Sequence, residues 1–165
     1  MRRPALAIVA AALALVAGPG PARAAEWGNI VPGTSTMDTV RGRYGGPTRT
    51  TTQKVDGYDT AQWVYEGAQA PAGMRRMVVD FGILLPSGYR PNVVRSFLLE
   101  PKAGVFTRNH IVNGWGEPTS VSRAGEPPPR FFYASGLLVS FDKDGWIAES
   151  MLFTPPQPDP EPPKR

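Results

Sequence analysis

The single histidine is the first residue in this sequence to consider for chemistry. An imidazole titrates near neutrality, so His110 could serve as a general base or a metal ligand. A catalytic histidine needs partners within hydrogen-bond distance, and its sequence neighbours Arg108 and Asn109 supply no carboxylate. We interpret His110 as a residue of a helix face and keep a hydrolase using His110 with a carboxylate as a minor alternative.

Two acidic groups resemble ligand sites. The segment 142–145, Asp-Lys-Asp-Gly, begins like a calcium loop, but the twelfth position, where such a loop needs a bidentate glutamate, is Phe153. Asp56 and Asp59 bracket a Gly-Tyr pair and are typical of a solvated loop. We interpret both groups as turns.

Other reactive motifs are missing from the sequence. It contains no cysteine, which excludes disulfides, thiolate metal sites and cysteine nucleophiles. It has no Gly-x-Ser-x-Gly elbow and no glycine-rich phosphate loop. The amides of segment 33–36 could bind an anion at a helix start, but a capping box is the commoner use of Gly-Thr-Ser-Thr. We therefore predict a protein that is not an enzyme and has no cofactor or metal site.

Large aromatic residues could instead mark a recognition surface, because they dominate interface hot spots. Several occupy positions that match between two halves of the chain, Tyr44 with Trp115 and Tyr65 with Tyr133, which favours a core role for them. The remaining candidates for protein binding are Trp27, Trp63, Tyr89 and Trp146.

The sequence segments that would form the elements positioning these residues occur in two similar copies. Segments 36–48 and 107–119 match at a constant offset of 71, and each ends in Gly-x-Pro-Thr. Apolar residues four apart predict a short helix in each segment, with a threonine at its start and the Gly-x-Pro at its end. The matched apolar positions are Val40 with Ile111 and Tyr44 with Trp115.

Apolar segments that predict β-strands follow each helix. A further strand could also follow each Gly-x-Pro directly. The short polar connections between the strands favour antiparallel meanders. The fold class predicted is α+β, with two tandem copies of a short helix followed by a three- to four-stranded antiparallel meander, over 25–105 and 106–154. The predicted strands are 62–66, 77–81 and 92–99 in the first copy and 130–134, 137–141 and 146–153 in the second.

The last strand of the first copy is apolar on both sides, since Phe97 and Leu99 alternate with Leu98. We interpret this as a place where two sheets meet, edge to edge or face to face. The matching offset also shrinks along the chain, so the first copy has longer loops, at 67–75 and 86–92.

Residues 1–24 read as a cleavable signal peptide. Two arginines precede an apolar run over 5–17, and Ala22-Arg23-Ala24 fits a small-x-small cleavage site. The alternative, an uncleaved membrane anchor, is disfavoured because the run is shorter than the roughly 20 residues that span a bilayer. We predict a periplasmic or secreted protein with no transmembrane helix after cleavage and, without a cysteine, no lipid anchor.

Charge argues against nucleic acid as a partner. The chain has 18 basic and 14 acidic residues, and three of the basic ones lie in the signal peptide, which leaves 15 against 14 and a net charge of +1. Nucleic-acid binders need clustered cations. At the other end, residues 155–165 are proline-rich and predict a disordered, extended tail.

The block Ile30-Val31-Pro32-Gly33-Thr34-Ser35-Thr36, followed by Val40, Tyr44-Gly45-x-Pro47 and Trp63-x-Tyr65, resembles the SmpA/OmlA (BamE-like) domain. The tandem arrangement is similar to the β-lactamase inhibitor protein fold. The first resemblance implies a small envelope protein with a helical start packed on a three-stranded sheet, linked to outer-membrane assembly. The second implies a concave face that binds protein. No functional residue of either family maps onto this chain.

The sequence therefore predicts an exported, non-enzymatic binding or scaffolding protein. It would engage an envelope or secreted protein partner through its sheet face or the groove between its copies. The alternative is an inhibitor of a secreted or periplasmic enzyme, with the loops 67–75 and 86–92 supplying the inserted segment. An apolar ligand held between two sheets is a further hypothesis.

Overall fold

The computed structural model describes residues 23–123 and 125–157. The predicted signal peptide up to residue 22, and the predicted tail from residue 158 onward, lie outside the described residues. No helix within the described ranges is long and apolar enough to cross a bilayer.

Within residues 23–123 and 125–157, the fold consists of two short helices and eight strands. All strand pairs are antiparallel, and the strands form one sheet in the order β1-β2-β3-β4-β8-β7-β6-β5. The elements are α1 (Met37–Tyr44), β1 (Arg49–Val55), β2 (Tyr58–Glu66), a 3₁₀ turn (Gly67–Gln69), β3 (Met74–Leu85), β4 (Gly88–Pro101), α2 (Arg108–Trp115), β5 (Ser120–Val121), β6 (Arg130–Tyr133), β7 (Leu137–Phe141) and β8 (Ala148–Phe153).

The predicted fold class, two tandem copies of a helix followed by a meander, is wrong. The chain forms a single eight-stranded sheet that dominates the molecule, because β4 pairs directly with β8 in its centre. Leu98 opposes Leu152 at this joint, and Phe97 opposes Phe153. At this joint, over 97–99 and 151–153, both strands carry apolar side chains on both faces, so separating them would expose apolar surface to water.

Matching caps start the two helices. The hydroxyl of Thr36 accepts from the Thr39 amide at 3.4 Å, and the hydroxyl of Thr107 accepts from the His110 amide at 3.3 Å. In both helices the third residue returns a side-chain contact to the cap amide, which completes a capping box. Each helix then buries one residue completely, Val40 in α1 and Ile111 in α2.

The core lies on one face of the sheet, beneath both helices. It joins the buried residues of α1 and α2 to alternating residues of the strands, as expected for a sheet covered on one side. We call this the core face and the opposite one the open face. The largest fully buried side chains of the core face include Tyr65, Phe81, Phe97, Phe141 and Phe153.

Positions that match in sequence are only partly alike in structure. The phenol of Tyr65 donates to the Gly45 carbonyl at 3.1 Å, and the phenol of Tyr133 donates to the Gly116 carbonyl at 3.1 Å. The matched pair at the helix ends differs, however. Tyr44 stacks on Trp27 with ring centroids 5.8 Å apart. Its counterpart in α2, Trp115, instead packs edge-on against Phe106 and Phe153.

Candidate functional site

Six apolar residues form a straight row across the open face, one on each of six neighbouring strands. Each member lies directly opposite the next in the strand register. With about 4.8 Å between neighbouring strands, the row is about 24 Å long. This apolar row consists of Val64, Val78, Leu98, Leu152, Leu138 and Phe132.

Exposure increases from one end of the apolar row to the other. Val64 and Val78 are buried at 2% and 8% exposure. Leu98, Leu152 and Leu138 are half-buried, and Phe132 is 38% exposed. The surface that the apolar row offers to a ligand is therefore concentrated on the half of the sheet formed by β6, β7 and β8.

An open groove of about 370 Å³ lies over this exposed end. Its floor contains Phe132, Leu138 and Leu152, and it is mostly apolar. Small polar side chains stand around it, so the groove combines apolar contact area with a few hydrogen-bonding groups, as binding pockets generally do. The polar lining residues are Thr119, Ser120, Thr154 and Gln157.

The chain after β8 forms one wall of the groove. The backbone amide of Gln157 donates to the Ala134 carbonyl at 2.9 Å, and the Thr154 hydroxyl donates to the Gly136 carbonyl at 3.2 Å. Gly136 has a φ of 96°, and a Cβ there would lie 2.1 Å from the carbonyl oxygen of Thr154. This glycine therefore permits the close approach that builds the wall.

Charged residues beside the apolar row are paired with one another. Arg76 lies between Glu66 at 3.8 Å and Glu100 at 3.5 Å. On the other side of the apolar row, Asp80 accepts from the Gln62 amide at 2.9 Å and from the Ser96 hydroxyl at 3.3 Å. Asp80 also lies 3.9 Å from the Arg95 guanidinium, so these charges are paired within the protein, although the Nε of Arg76 has no hydrogen-bond partner among the described residues. This pairing favours recognition by apolar contact over recognition of an ionic ligand.

A second exposed apolar cluster lies where the β1–β2 and β3–β4 hairpins end. Val55 opposes Tyr58 across one hairpin, and Leu84 opposes Tyr89 across the other. The rings of Tyr58 and Tyr89 join the two pairs, with centroids 4.4 Å apart. Leu84 is 64% exposed, Tyr58 41% and Val55 39%. We call these four residues the hairpin-tip cluster.

Tyr89 is held in this cluster by its surroundings. Its phenol donates to the Asp59 carbonyl on β2, which ties the second hairpin to the first. Its hydroxyl also fills the space beside Gly82, where a Cβ would lie 2.2 Å away. The aromatic surface at the tip is therefore fixed before any ligand arrives, which lowers the entropic cost of binding.

The four aromatic residues predicted for protein binding do not form one surface. Trp63 is only 5% exposed and packs in the core against Phe81, beneath the Arg41 guanidinium, so it presents no surface in this conformation. Trp27 is half-buried. Tyr89 belongs to the hairpin-tip cluster, and Trp146 is 59% exposed in the β7–β8 connection.

The leucines of the apolar row were not predicted from the sequence as surface residues. Their apolar character pointed to burial, and their shared face appears only once β4 is known to pair with β8. The sequence signal that could have indicated this shared face is the strand around Leu98, which carries apolar side chains on both of its faces.

The residues considered above as catalytic or metal-binding candidates make hydrogen bonds that cap a helix or close a turn. His110 is exposed, and its Nδ1 accepts from the Thr107 amide at 3.3 Å, as part of the helix cap. Asp142 accepts from the amides of Trp146 at 2.8 Å and Ile147 at 3.1 Å, and these hydrogen bonds lower the pKa of its carboxyl. Within 23–123 and 125–157, no three His, Cys, Asp or Glu residues are placed to share a metal ion.

Of the other acidic pair, only Asp56 lies in the turn that was predicted, because Asp59 is the second residue of β2. Asp59 forms an ion pair with Lys54 at 2.7 Å, and both side chains are largely exposed. Asp56 adopts a φ of 50° in the connection between β1 and β2. The left-handed backbone at this position is one that aspartate tolerates in tight turns.

Comparisons with known proteins identify no family. No family model matches the chain, and no curated protein matches it. Among solved structures, a DUF4309 family protein (YjgB) from Bacillus subtilis subsp. subtilis str. 168 is similar, with a TM-score of 0.45 and 12% identity over 76% of this chain and 82% of that one. A likeness at this level does not establish a shared fold or function. The resemblance to the SmpA/OmlA domain stays a prediction.

Proposed function

We propose that this chain is an exported, non-enzymatic binding or scaffolding protein of the cell envelope that engages a protein partner through the open face of its sheet. The observation that carries the proposal is the apolar row, which ends in the groove over Phe132, Leu138 and Leu152. Exposed apolar surface of this kind, bordered by polar residues, is typical of interaction sites.

The dimensions of the apolar row favour a protein as the ligand. Its length of about 24 Å, from the spacing of six strands, exceeds what a small metabolite covers. The groove is open along its length, and the charges beside the apolar row are already paired. An apolar segment of a partner protein would contact the groove first and continue toward Leu98. A link to outer-membrane assembly is supported only by the resemblance to the SmpA/OmlA domain.

Site-directed photocrosslinking in the cells that make the protein tests this proposal. A photoreactive phenylalanine analogue at position 132 or 138 should crosslink to one reproducible protein, because both positions lie in the groove. The same analogue at the exposed Lys143, outside the groove, is the control. Leu138→Ser should reduce crosslinking from position 132 without changing the circular dichroism spectrum. Equal products from all three positions, or none from the groove, would contradict the proposal.

The hairpin-tip cluster favours a second candidate function, inhibition of a secreted or periplasmic enzyme. It lies at the ends of two hairpins, three of its four residues are exposed, and the Tyr58–Tyr89 ring contact joins the hairpins, so it suits insertion into a partner's cleft. It flanks the β3–β4 turn at residues 86–87. The loop predicted over 86–92 is wrong for residues 88–92, because β4 already begins at Gly88 and pairs with β3. Hydrolases, including β-lactamase, should be assayed with micromolar protein. Inhibition that Leu84→Ser abolishes would support this function, and a panel without inhibition would reject it.

A further inference from the structure

The two edges of the sheet differ sharply. At one edge, β5 has only two residues, Ser120 and Val121. At the other edge, β1 runs for seven residues, Arg49–Val55, and every one of them is exposed. Among the described residues, β1 is paired with β2 on one side and with no strand on the other. Its outward backbone groups are therefore available to another strand.

β1 lacks three of the features that usually protect an edge strand, since it is not short, contains no proline and has no bulge, and its two charged residues, Arg49 and Lys54, are each ion-paired within the chain. Natural edges are shortened, bulged, interrupted by proline or lined by charged side chains, because unpaired edges promote association. β1 contains no proline, and its register with β2 runs from Arg49↔Val64 to Val55↔Tyr58 without a bulge. Its centre is three consecutive threonines, Thr50, Thr51 and Thr52, and β-branched residues favour strand pairing.

We infer that β1 is an interface through which two copies of this chain pair edge to edge, antiparallel about a two-fold axis at Thr52. In this register Thr52 of each copy opposes Thr52 of the other, Thr51 opposes Gln53, Thr50 opposes Lys54, and Arg49 opposes Val55. The pairing would extend both sheets into one sheet of sixteen strands. It is a surface separate from the groove of the proposed function.

Charge favours a second copy as the occupant of this edge. The two basic residues of β1 stand near opposite ends of the strand, so the two-fold register never places like charges opposite each other. Each is also paired within its own copy, Arg49 with Glu66 at 3.4 Å and Lys54 with Asp59 at 2.7 Å. Threonine opposite threonine is a favourable cross-strand pair. An identical strand thus meets this edge without electrostatic repulsion.

The dimer formed this way should be weak and dependent on concentration. Pairing of one seven-residue strand buries less than the roughly 1,200 Å² typical of stable interfaces, so backbone hydrogen bonds supply most of the affinity. Sedimentation velocity on the mature protein, from about 10 μM to about 1 mM, should show a monomer–dimer equilibrium whose dissociation constant lies within this concentration range.

Charge substitutions at the two-fold axis give a decisive test. Thr52→Lys and Thr52→Glu each place like charges opposite each other, so each variant alone should raise the dimer dissociation constant at least about tenfold. An equimolar mixture of the two places opposite charges there and should restore a heterodimer. Ser120→Lys on the other edge is the matched control and should dimerise like the wild type.

Three results would overturn the inference. The first is a wild-type protein that stays monomeric at the highest concentration. The second is dimerisation unaffected by Thr52→Lys, and the third is a mixture of the two variants that stays monomeric. The groove variant Leu138→Ser should still dimerise, and Thr52→Lys should still crosslink from position 132. Failure of the dimer and failure of the proposed function are therefore distinguishable.

Discussion

The ring of Phe97 on β4 lies flat against the ring of Phe153 on β8, with centroids 4.5 Å apart and an angle of 9° between their planes. The two residues are also register partners, and both are buried to 1% exposure or less. This contact sits at the joint that turns the two halves of the chain into one sheet. The two rings therefore connect strands that were predicted to belong to separate copies.

Removing one ring at this joint should destabilise the whole protein. Phe153→Ala leaves a cavity against Phe97 and Trp115 and should lower the free energy of unfolding by about 3–5 kcal/mol. Urea denaturation followed by circular dichroism measures the change. Phe132→Ala on the open face should cost less than half as much, because that ring is 38% exposed. Equal losses for the two variants would show that the joint is not central to stability.

Alkaline pH should destabilise the fold through two buried phenols. Burial raises the pKa of Tyr65 and of Tyr133 to about 12, from the ordinary value of 10.0. Because both pKa values are higher in the folded state, the stability they contribute is complete below pH 10 and is lost as pH rises toward 12. The double variant Tyr65→Phe/Tyr133→Phe should lose less stability over this range in denaturation curves.

At neutral pH the same variant should be less stable. It removes the hydrogen bonds to the Gly45 and Gly116 carbonyls, each worth about 1 kcal/mol. Opposite effects at pH 7 and above pH 10 would separate the hydrogen-bond contribution from the ionisation contribution. A wild type and a double variant that respond identically to alkaline pH would contradict the assignment.

Gly82 should tolerate a methyl group less well than Gly88. Both have positive φ, 99° and 111°, so alanine is strained at either position. Only at Gly82 does the added Cβ collide with Tyr89, since nothing lies within 4 Å at Gly88. Gly82→Ala should therefore lower the free energy of unfolding by at least about 1 kcal/mol more than Gly88→Ala. A smaller loss for Gly82→Ala than for Gly88→Ala would argue against the placement of Tyr89.

Signal cleavage after Ala24 would leave Ala25 as the new first residue. Ala25 is 4% exposed, and its nitrogen donates to the Ser135 carbonyl at 2.8 Å. We expect N-terminal sequencing of the exported protein to begin at Ala25, with its amino group retaining that contact. The variant Ser135→Pro keeps the carbonyl but alters the backbone around it, and should lower stability. A mature chain that starts beyond residue 25 would lack the contact and contradict this expectation.

The sequence was sufficient to predict most local elements. The predicted helices lie over α1 and α2, because threonine caps and Gly-x-Pro ends are local signals read along the chain. Each predicted strand overlaps an observed one, and the extra strand left open after each Gly-x-Pro corresponds to β1 and to the two-residue β5. Local residue chemistry is what determines such elements.

The assembly of these elements was not predictable in the same way. Two helix-plus-meander copies and one continuous sheet share the same local pattern and differ only in whether β4 meets β8. For the candidate site, the exposure of Trp63 was equally unpredictable from the sequence. Its size and polar tip suit an exposed hot spot or a core equally, and only its position beneath Arg41 and beside Phe81 decides for the core.

The strand order also has a consequence for folding. Every neighbouring pair of strands except one is consecutive in the chain, so each half can assemble from successive hairpins with short loops to close. The β4–β8 pair alone joins segments far apart in sequence. We expect the search for this long-range strand pairing to limit the folding rate, so that substitutions at Leu98 or Leu152 slow refolding more than substitutions within either half.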